Sequence, residues 1–146
     1  MPKWLDLPPI WLITMMALAY IIAGVFPMPG WPMPWLGGAA MVLGIGLAVW
    51  AALSFQAQKT TIIPHETPKD LITGGAFSYS RNPIYLADLI VLIGWCLIWG
   101  AALPFAVVPV FVWVITNRFI EPEEARLIKA FGDRFKAYES TTRRWL

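Results

Sequence analysis

Cysteine and histidine occur once each, at Cys96 and His65. A single cysteine excludes an intrachain disulfide and a thiolate metal site. His65 has no second ligand at any metal-like spacing, so no metal is expected. No Ser/His/Asp order and no glycine-rich phosphate loop can be found either. Charge is scarce at 14% of residues, against roughly 25% in ordinary globular domains. It is also confined: no Lys or Arg lies between Asp6 and Lys59, or between Arg81 and Arg118. Basic residues grouped in this way are better explained by membrane topology than by nucleic acid, and no nucleic-acid partner is expected.

What fills the gaps is apolar. Hydrophobic residues make up 58% of the 146, nine of them Trp, with a mean hydropathy of +0.62. That composition is wrong for a soluble domain and points to an all-α integral membrane protein, a single membrane domain over 1–146. Spans are expected at about 8–26, 35–55, 83–99 and 101–120, each near the ~20 residues that cross a bilayer. Lys3 could head a signal peptide, but no small-residue cleavage site follows and the chain stays apolar, so the first span is read as retained. Prolines alternating through residues 27–34 predict a short interfacial connection. Gly37, Gly38, Gly44, Gly46 and Ala48 permit close packing of the second span. Pro109 predicts a kink in the fourth. Gly100 and its neighbours leave so little chain between spans three and four that a tight antiparallel hairpin is expected.

Residues 56–82 form a polar loop too long for a mere connector. An amphipathic helix over 122–139 comes after the last span, with Ala125, Leu127, Ile128, Phe131, Phe135 and Tyr138 on one side and Arg126, Lys129, Asp133, Arg134 and Lys136 on the other. Arg143, Arg144 and Trp145 read as an interfacial anchor. Four spans place both termini and the 56–82 loop on one side, and every Lys and Arg falls there. The positive-inside rule makes that side cytoplasmic, in a prokaryotic plasma (inner) membrane. The bilayer is the one partner this reading requires; oligomeric state stays open.

Two polar clusters stand at the membrane edge: Ser80 to Asp88 and Arg118 to Glu124. Counting equally outward from Gly100 and Ala101 sets Tyr85 level with about Asn117 and Arg118 level with Ile84. Tyr85 and Asp88 share a helix face, so a phenol and a carboxylate can point together toward Arg118. Asp88 lies about 8 Å inside the helix at about 1.5 Å per residue. A carboxylate at that depth is either functional or held in a structural ion pair with Arg118 or Arg81. Glu121, Glu123 and Glu124 crowd one helix start. Such acids suit a helix N-terminus, or form a receptor for a cationic ligand.

Leu71-Ile72-Thr73-Gly74-Gly75-Ala76-Phe77, followed by Arg81-Asn82-Pro83-Ile84-Tyr85, resembles the loop and Arg-His/Asn-Pro-x-Tyr signature of the isoprenylcysteine carboxyl methyltransferase and phospholipid methyltransferase family. Arg118, Glu123-Glu124, Leu127, Phe131-Gly132, Tyr138 and Arg143-Arg144-Trp145 are similar to that family's second motif and its ending. The resemblance runs from Thr60 to the end of the sequence. It implies methyl transfer from S-adenosylmethionine, leaving S-adenosylhomocysteine, in a pocket between the last two spans, the loop and the C-terminal helix. It further implies that Leu71, Ile72, Gly75, Phe77, Arg81, Asn82, Pro83, Glu123 and Glu124 surround the cofactor and that Arg118 faces the substrate. Asn82 stands where the isoprenylcysteine enzymes carry histidine, which argues against prenylcysteine as acceptor.

The chemistry is compatible. Glu123 and Glu124 would oppose the cofactor's sulfonium and ammonium, and Arg81 its carboxylate. Arg118, Tyr85 and Asp88 are then the catalytic candidates, with Asp88 or Tyr85 taking a proton from an amine or thiol acceptor. The acceptor is expected to be lipophilic, or small and reachable from the membrane. A four-helix carrier using Asp88 and a noncatalytic membrane partner protein are the competing classes. A carrier, however, would place its essential charge near the bilayer midplane rather than at one face.

Overall fold

The computed structural model describes residues 6–26, 32–57, 70–100 and 102–146. His65, the loop residues 58–69 and most of the Pro-rich connection (27–31) lie outside the described residues. Those described are helical, without a strand. In order they are α1 (Pro8–Val25), α2 (Pro34–Ala57), a 3-10 turn (Gly75–Ser78), α3 (Pro83–Trp99), a second 3-10 turn (Leu103–Ala106), α4 (Val107–Ile115), a π-helical stretch (Thr116–Ile120), α5 (Glu121–Phe131) and α6 (Asp133–Thr141).

Proline and glycine set the boundaries. Pro8, Pro83 and Pro122 occupy first turns, where a missing N–H costs no hydrogen bond. Gly100 ends α3 with φ +66°, a left-handed cap that favours glycine. Pro109, expected to interrupt a helix interior, stands near a change of helix type. The segment turns from 3-10 to α at Val107, so Pro109 falls in the first turn of α4.

The helix of the fourth apolar run continues past Ile120. Leu103–Phe131 is one 29-residue helical run long and apolar enough to cross a membrane, as are Pro8–Val25 and Pro34–Ser54; Pro83–Trp99 is a shorter apolar helix. Pro122 is absorbed because the π stretch before it widens the ladder, the Glu121 N–H reaching the Thr116 carbonyl. The expected C-terminal helix breaks instead at Gly132, φ +51°.

The outward faces of α1 and α2 are apolar, with Val42 72% and Trp35 91% exposed, a surface that suits lipid rather than water. Inside, α3 lays its longest contact on α2, not on α4. A Cβ on Gly37 would stand 2.5 Å from the Gly94 carbonyl oxygen, and one on Gly44 2.8 Å from that of Ala87. Gly37, Gly44 and the fully buried Ala51 are seven residues apart on α2, as are Ala87 and Gly94 on α3. Small residues at that spacing let the two backbones touch. Gly38 and Gly46 have nothing within 4 Å and take no part.

α4 meets α3 through bulky Leu92, Phe111 and Ile115, with Met15 and Ala19 of α1 in the same core. The Trp95 indole donates to the Met16 carbonyl at 3.0 Å and ties α3 to α1. The expected hairpin of α3 with α4 is therefore a three-helix packing that includes α1. Counting across it gives roughly the right level, the Tyr85 ring lying 6.4 Å from that of Phe119, but not the helix rotation, which the 3-10 turn and the π stretch change.

Candidate functional site

The two polar clusters meet at the end of the bundle where α3 begins and α5 begins. Ser80, Arg81 and Asn82 lead into Pro83. The Asn82 side chain does not cap α3; it donates to the Arg144 carbonyl at 3.0 Å, while the Ser80 hydroxyl takes the Asn82 N–H at 3.1 Å. Arg81 turns its guanidinium toward α5 and α6. Nη1 lies 3.3 Å from Glu124 and 2.7 Å from Glu139, with the group 6.0 Å from the Phe135 ring. The Arg81 and Glu124 side chains are only 10% and 11% exposed, so this is a buried pair.

The neighbouring acids in α5 are not equivalent. Glu124 accepts from Arg144 twice, Nε at 3.2 Å and Nη2 at 2.6 Å, in a bidentate fork that adds to its contact with Arg81. Hydrogen bonding to Glu124 raises the Arg144 pKa, while burial opposes it. Glu123 points the other way and accepts from the Tyr85 hydroxyl at 3.1 Å. Glu121 is more exposed and lies 3.8 Å from Arg144.

The 70–80 segment closes the third side. Leu71, Ile72, Ala76 and Phe77 pack with Ala51, Phe135 and Tyr138 in a second small core. The Tyr138 hydroxyl donates to the Phe77 carbonyl, and burial pushes its pKa up. Asp70 accepts the Leu71 N–H at 2.8 Å and an Arg134 N–H at 3.1 Å.

Two cavities open around this framework. A small one of about 60 Å³ is lined by Asp70, Leu71, Ile72, Phe77, Arg81, Asn82, Glu123, Glu124, Leu127, Phe135 and Tyr138, charged groups set among apolar walls. A larger, mainly apolar one of about 340 Å³ is lined by Leu7, Pro8 and Pro9 of the α1 entry, Phe77, Arg81, Asn82, and Pro83, Ile84, Tyr85 and Asp88 of α3, with Glu123. Phe77, Arg81, Asn82 and Glu123 belong to both, so the cavities share a wall.

Most of the residues expected around a cofactor thus surround one small cavity: Leu71, Ile72, Phe77, Arg81, Asn82, Glu123 and Glu124. Pro83 lines the larger one. Gly75 lines neither; at φ +64°, a Cβ there would sit 2.6 Å from the Ser54 hydroxyl, so its role is close approach to α2. Tyr85 and Asp88 both reach the larger cavity, but Arg118 does not meet them. Its Nε bonds Asp6 at 2.6 Å and its guanidinium lies 5.7 Å from the Trp11 ring, turned away by the π stretch. No cation among the described residues pairs with Asp88, so the expected ion pair to Arg118 or Arg81 is not made.

Sequence reasoning missed Glu139, Phe135, Tyr138 and the α1 entry as parts of the site. It read Arg144 as part of an interfacial anchor and, by resemblance, of the family's ending, without a partner for it. Three acids crowded at one helix start were the available signal that cations from elsewhere in the chain meet them.

The cofactor that the resemblance implies can be tested against this donor set. Arg81 Nε is buried with no hydrogen-bond partner among the described residues, which suits an incoming carboxylate. Among the described residues, Glu121, Glu124 and Glu139 outnumber the two arginines, Arg81 and Arg144, that they meet, which suits a ligand carrying positive charge. The residues present fit the group.

The family model described as "Phospholipid methyltransferase" matches residues 32–134. The match begins just before α2 and ends early in α6, leaving out α1 and the C-terminal segment. A protein of Haemophilus influenzae described only as uncharacterized is 38% identical over 63 residues, 43% of this chain and 100% of that protein.

Proposed function

The chain belongs to the phospholipid methyltransferase family, and from that premise we propose that it transfers a methyl group from S-adenosylmethionine to a lipophilic or membrane-accessible acceptor at the cytoplasmic face. The observation that carries this reading is the shared wall: a small cavity edged by Arg81, Glu123 and Glu124 and a larger, mainly apolar one abut through Phe77, Arg81, Asn82 and Glu123. A charged cofactor and an apolar acceptor need such adjoining surfaces if the reacting atoms are to be held in line.

When bound, S-adenosylmethionine supplies an electrophilic methyl on a sulfonium. Arg81 would hold its carboxylate, and Glu123, facing both cavities, would oppose its positive charge. Glu124 is engaged by Arg144 and acts through the network. The smaller cavity of about 60 Å³ has room for a charged group but not for a nucleoside, which would have to extend beyond it.

In the apolar cavity Tyr85 already commits its proton to Glu123. Asp88 is therefore the group that orients or accepts a proton from an amine or thiol acceptor; a carboxylate acceptor needs no base. The larger volume, about 340 Å³, falls at the small end of the ~300–1,000 Å³ typical of ligand pockets. Its apolar walls between α1 and α3 suit entry of a lipophilic body from the bilayer, with both termini in the cytoplasm.

Calorimetry with S-adenosylmethionine or S-adenosylhomocysteine on the detergent-purified chain tests the proposal. Binding is expected for both, and absence of binding by folded protein would overturn it. Label transferred from radioactive cofactor into lipid extracts would then identify the acceptor.

A further inference from the structure

The segment after α6 lies outside the matched family region, yet it is hydrogen-bonded to each of the three residues that lead into α3. The Arg81 N–H donates to the Arg143 carbonyl at 2.9 Å. The Arg144 carbonyl accepts from both the Asn82 amide, at 3.0 Å, and the Ser80 hydroxyl, at 3.3 Å. Beyond it, Trp145 packs on the core of α1, α3 and α4, so the extended segment is pinned at its far end. Between these anchors the Arg144 side chain turns back and occupies both carboxylate oxygens of Glu124.

That last contact bears on Arg81. Glu124 Oε1 is shared between Arg144 Nε at 3.2 Å and Arg81 Nη1 at 3.3 Å. Without Arg144, Glu124 would have Arg81 as its nearest cation, and a bidentate Arg–carboxylate pair is the preferred geometry for two such groups in a buried site. Arg81 would then be drawn onto Glu124 and its remaining donors lost to a ligand. With Arg144 in place, one Arg81 nitrogen is held while Nε stays uncommitted.

We propose that Arg144 is a positioning residue of the cofactor site: by satisfying Glu124 from the C-terminal segment, it keeps Arg81 available for the carboxylate end of the ligand, while its own carbonyl sets the Asn82 side chain. The inference rests on the proposed methyltransferase reading. It identifies the C-terminal segment as part of the binding site rather than a lipid anchor.

The test compares two ligands on the full chain in detergent: S-adenosylhomocysteine, which carries the amino-acid end, and methylthioadenosine, which lacks it. Arg144→Ala should weaken S-adenosylhomocysteine by about 10- to 100-fold, the worth of one charge-assisted contact, and leave methylthioadenosine within about threefold. Arg144→Lys, which cannot form the fork, should recover only part of the loss. Hydrogen exchange provides a ligand-free readout, with faster exchange of the Arg81 amide expected in Arg144→Ala. Should Arg144→Ala not fold, Arg144→Lys is read in its place.

Unchanged S-adenosylhomocysteine affinity in the variants overturns the positioning role and leaves the methyltransferase reading standing. Equal loss of both ligands overturns it too, in favour of a purely structural segment. Failure of the folded wild-type chain to bind either ligand overturns both proposals.

Discussion

Glu123→Gln and Glu124→Gln differ by one residue in sequence and should differ in kind. Glu124 is 8% exposed and takes three contacts, from Arg144 at 3.2 and 2.6 Å and from Arg81 at 3.3 Å. Removing its charge leaves two cations facing a neutral amide. Breaking a buried pair in this way costs about 3–5 kcal/mol. Two features pull the value to the low end: the Arg144 side chain is 35% exposed, and Arg81 retains Glu139 at 2.7 Å. A loss of about 3 kcal/mol should lower the thermal midpoint by roughly 10 °C in a chain of this size. Glu123→Gln weakens the hydrogen bond from Tyr85, at 3.1 Å, worth about 1 kcal/mol, and should destabilise the fold less than Glu124→Gln. Its penalty should appear in S-adenosylmethionine affinity, as a loss of roughly tenfold or more. The assays are thermal unfolding in detergent followed by intrinsic Trp fluorescence, and calorimetry at a temperature where both variants are folded. Equal destabilisation by the two substitutions would refute the division of labour, as would a Glu123→Gln variant that binds the cofactor like wild type.

The same geometry sets further outcomes. Gly44→Ala puts a Cβ 2.8 Å from the Ala87 carbonyl oxygen and 3.1 Å from the Val91 nitrogen. Both are backbone atoms, so it should destabilise by about 1–3 kcal/mol. Gly46→Ala, with nothing within 4 Å, should stabilise by up to about 1 kcal/mol through helix propensity; paired unfolding curves measure the difference, and a common sign would contradict the stripe assigned to α2. Asp88→Asn should preserve cofactor affinity and lower kcat for an amine or thiol acceptor, moving the lower limb of the pH–rate profile. An unchanged profile would remove Asp88 from the proton path. Arg118→Ala should leave cofactor binding unchanged, because Arg118 is committed to Asp6, and should loosen the α1 entry, read as faster hydrogen exchange near Trp11. Loss of cofactor binding would return Arg118 to the site.

The apolar helices were legible in composition, because a residue's preference for lipid is local and a span needs only length and absence of charge. The prolines at helix starts and Gly100 as a stop were legible for the same reason: each acts on its own backbone. That the Ser80 to Asp88 and Arg118 to Glu124 stretches converge could be suspected from opposite charges at one membrane face. Which side chain meets which could not. Pairing depends on helix rotation, and a five-residue π stretch was enough to send Arg118 to Asp6 instead of Tyr85. Glu123 and Glu124 look alike in the sequence, but about 100° of helical turn gives one to the cavities' shared wall and the other to Arg144. The C-terminal arginine could be matched to the family's ending but not to its partners, which lie 20 and 62 residues away. Sequence alone determined the class of protein and the chemistry available at its membrane edge; only the tertiary structure decided which charges pair with one another and which side chains line the cavities.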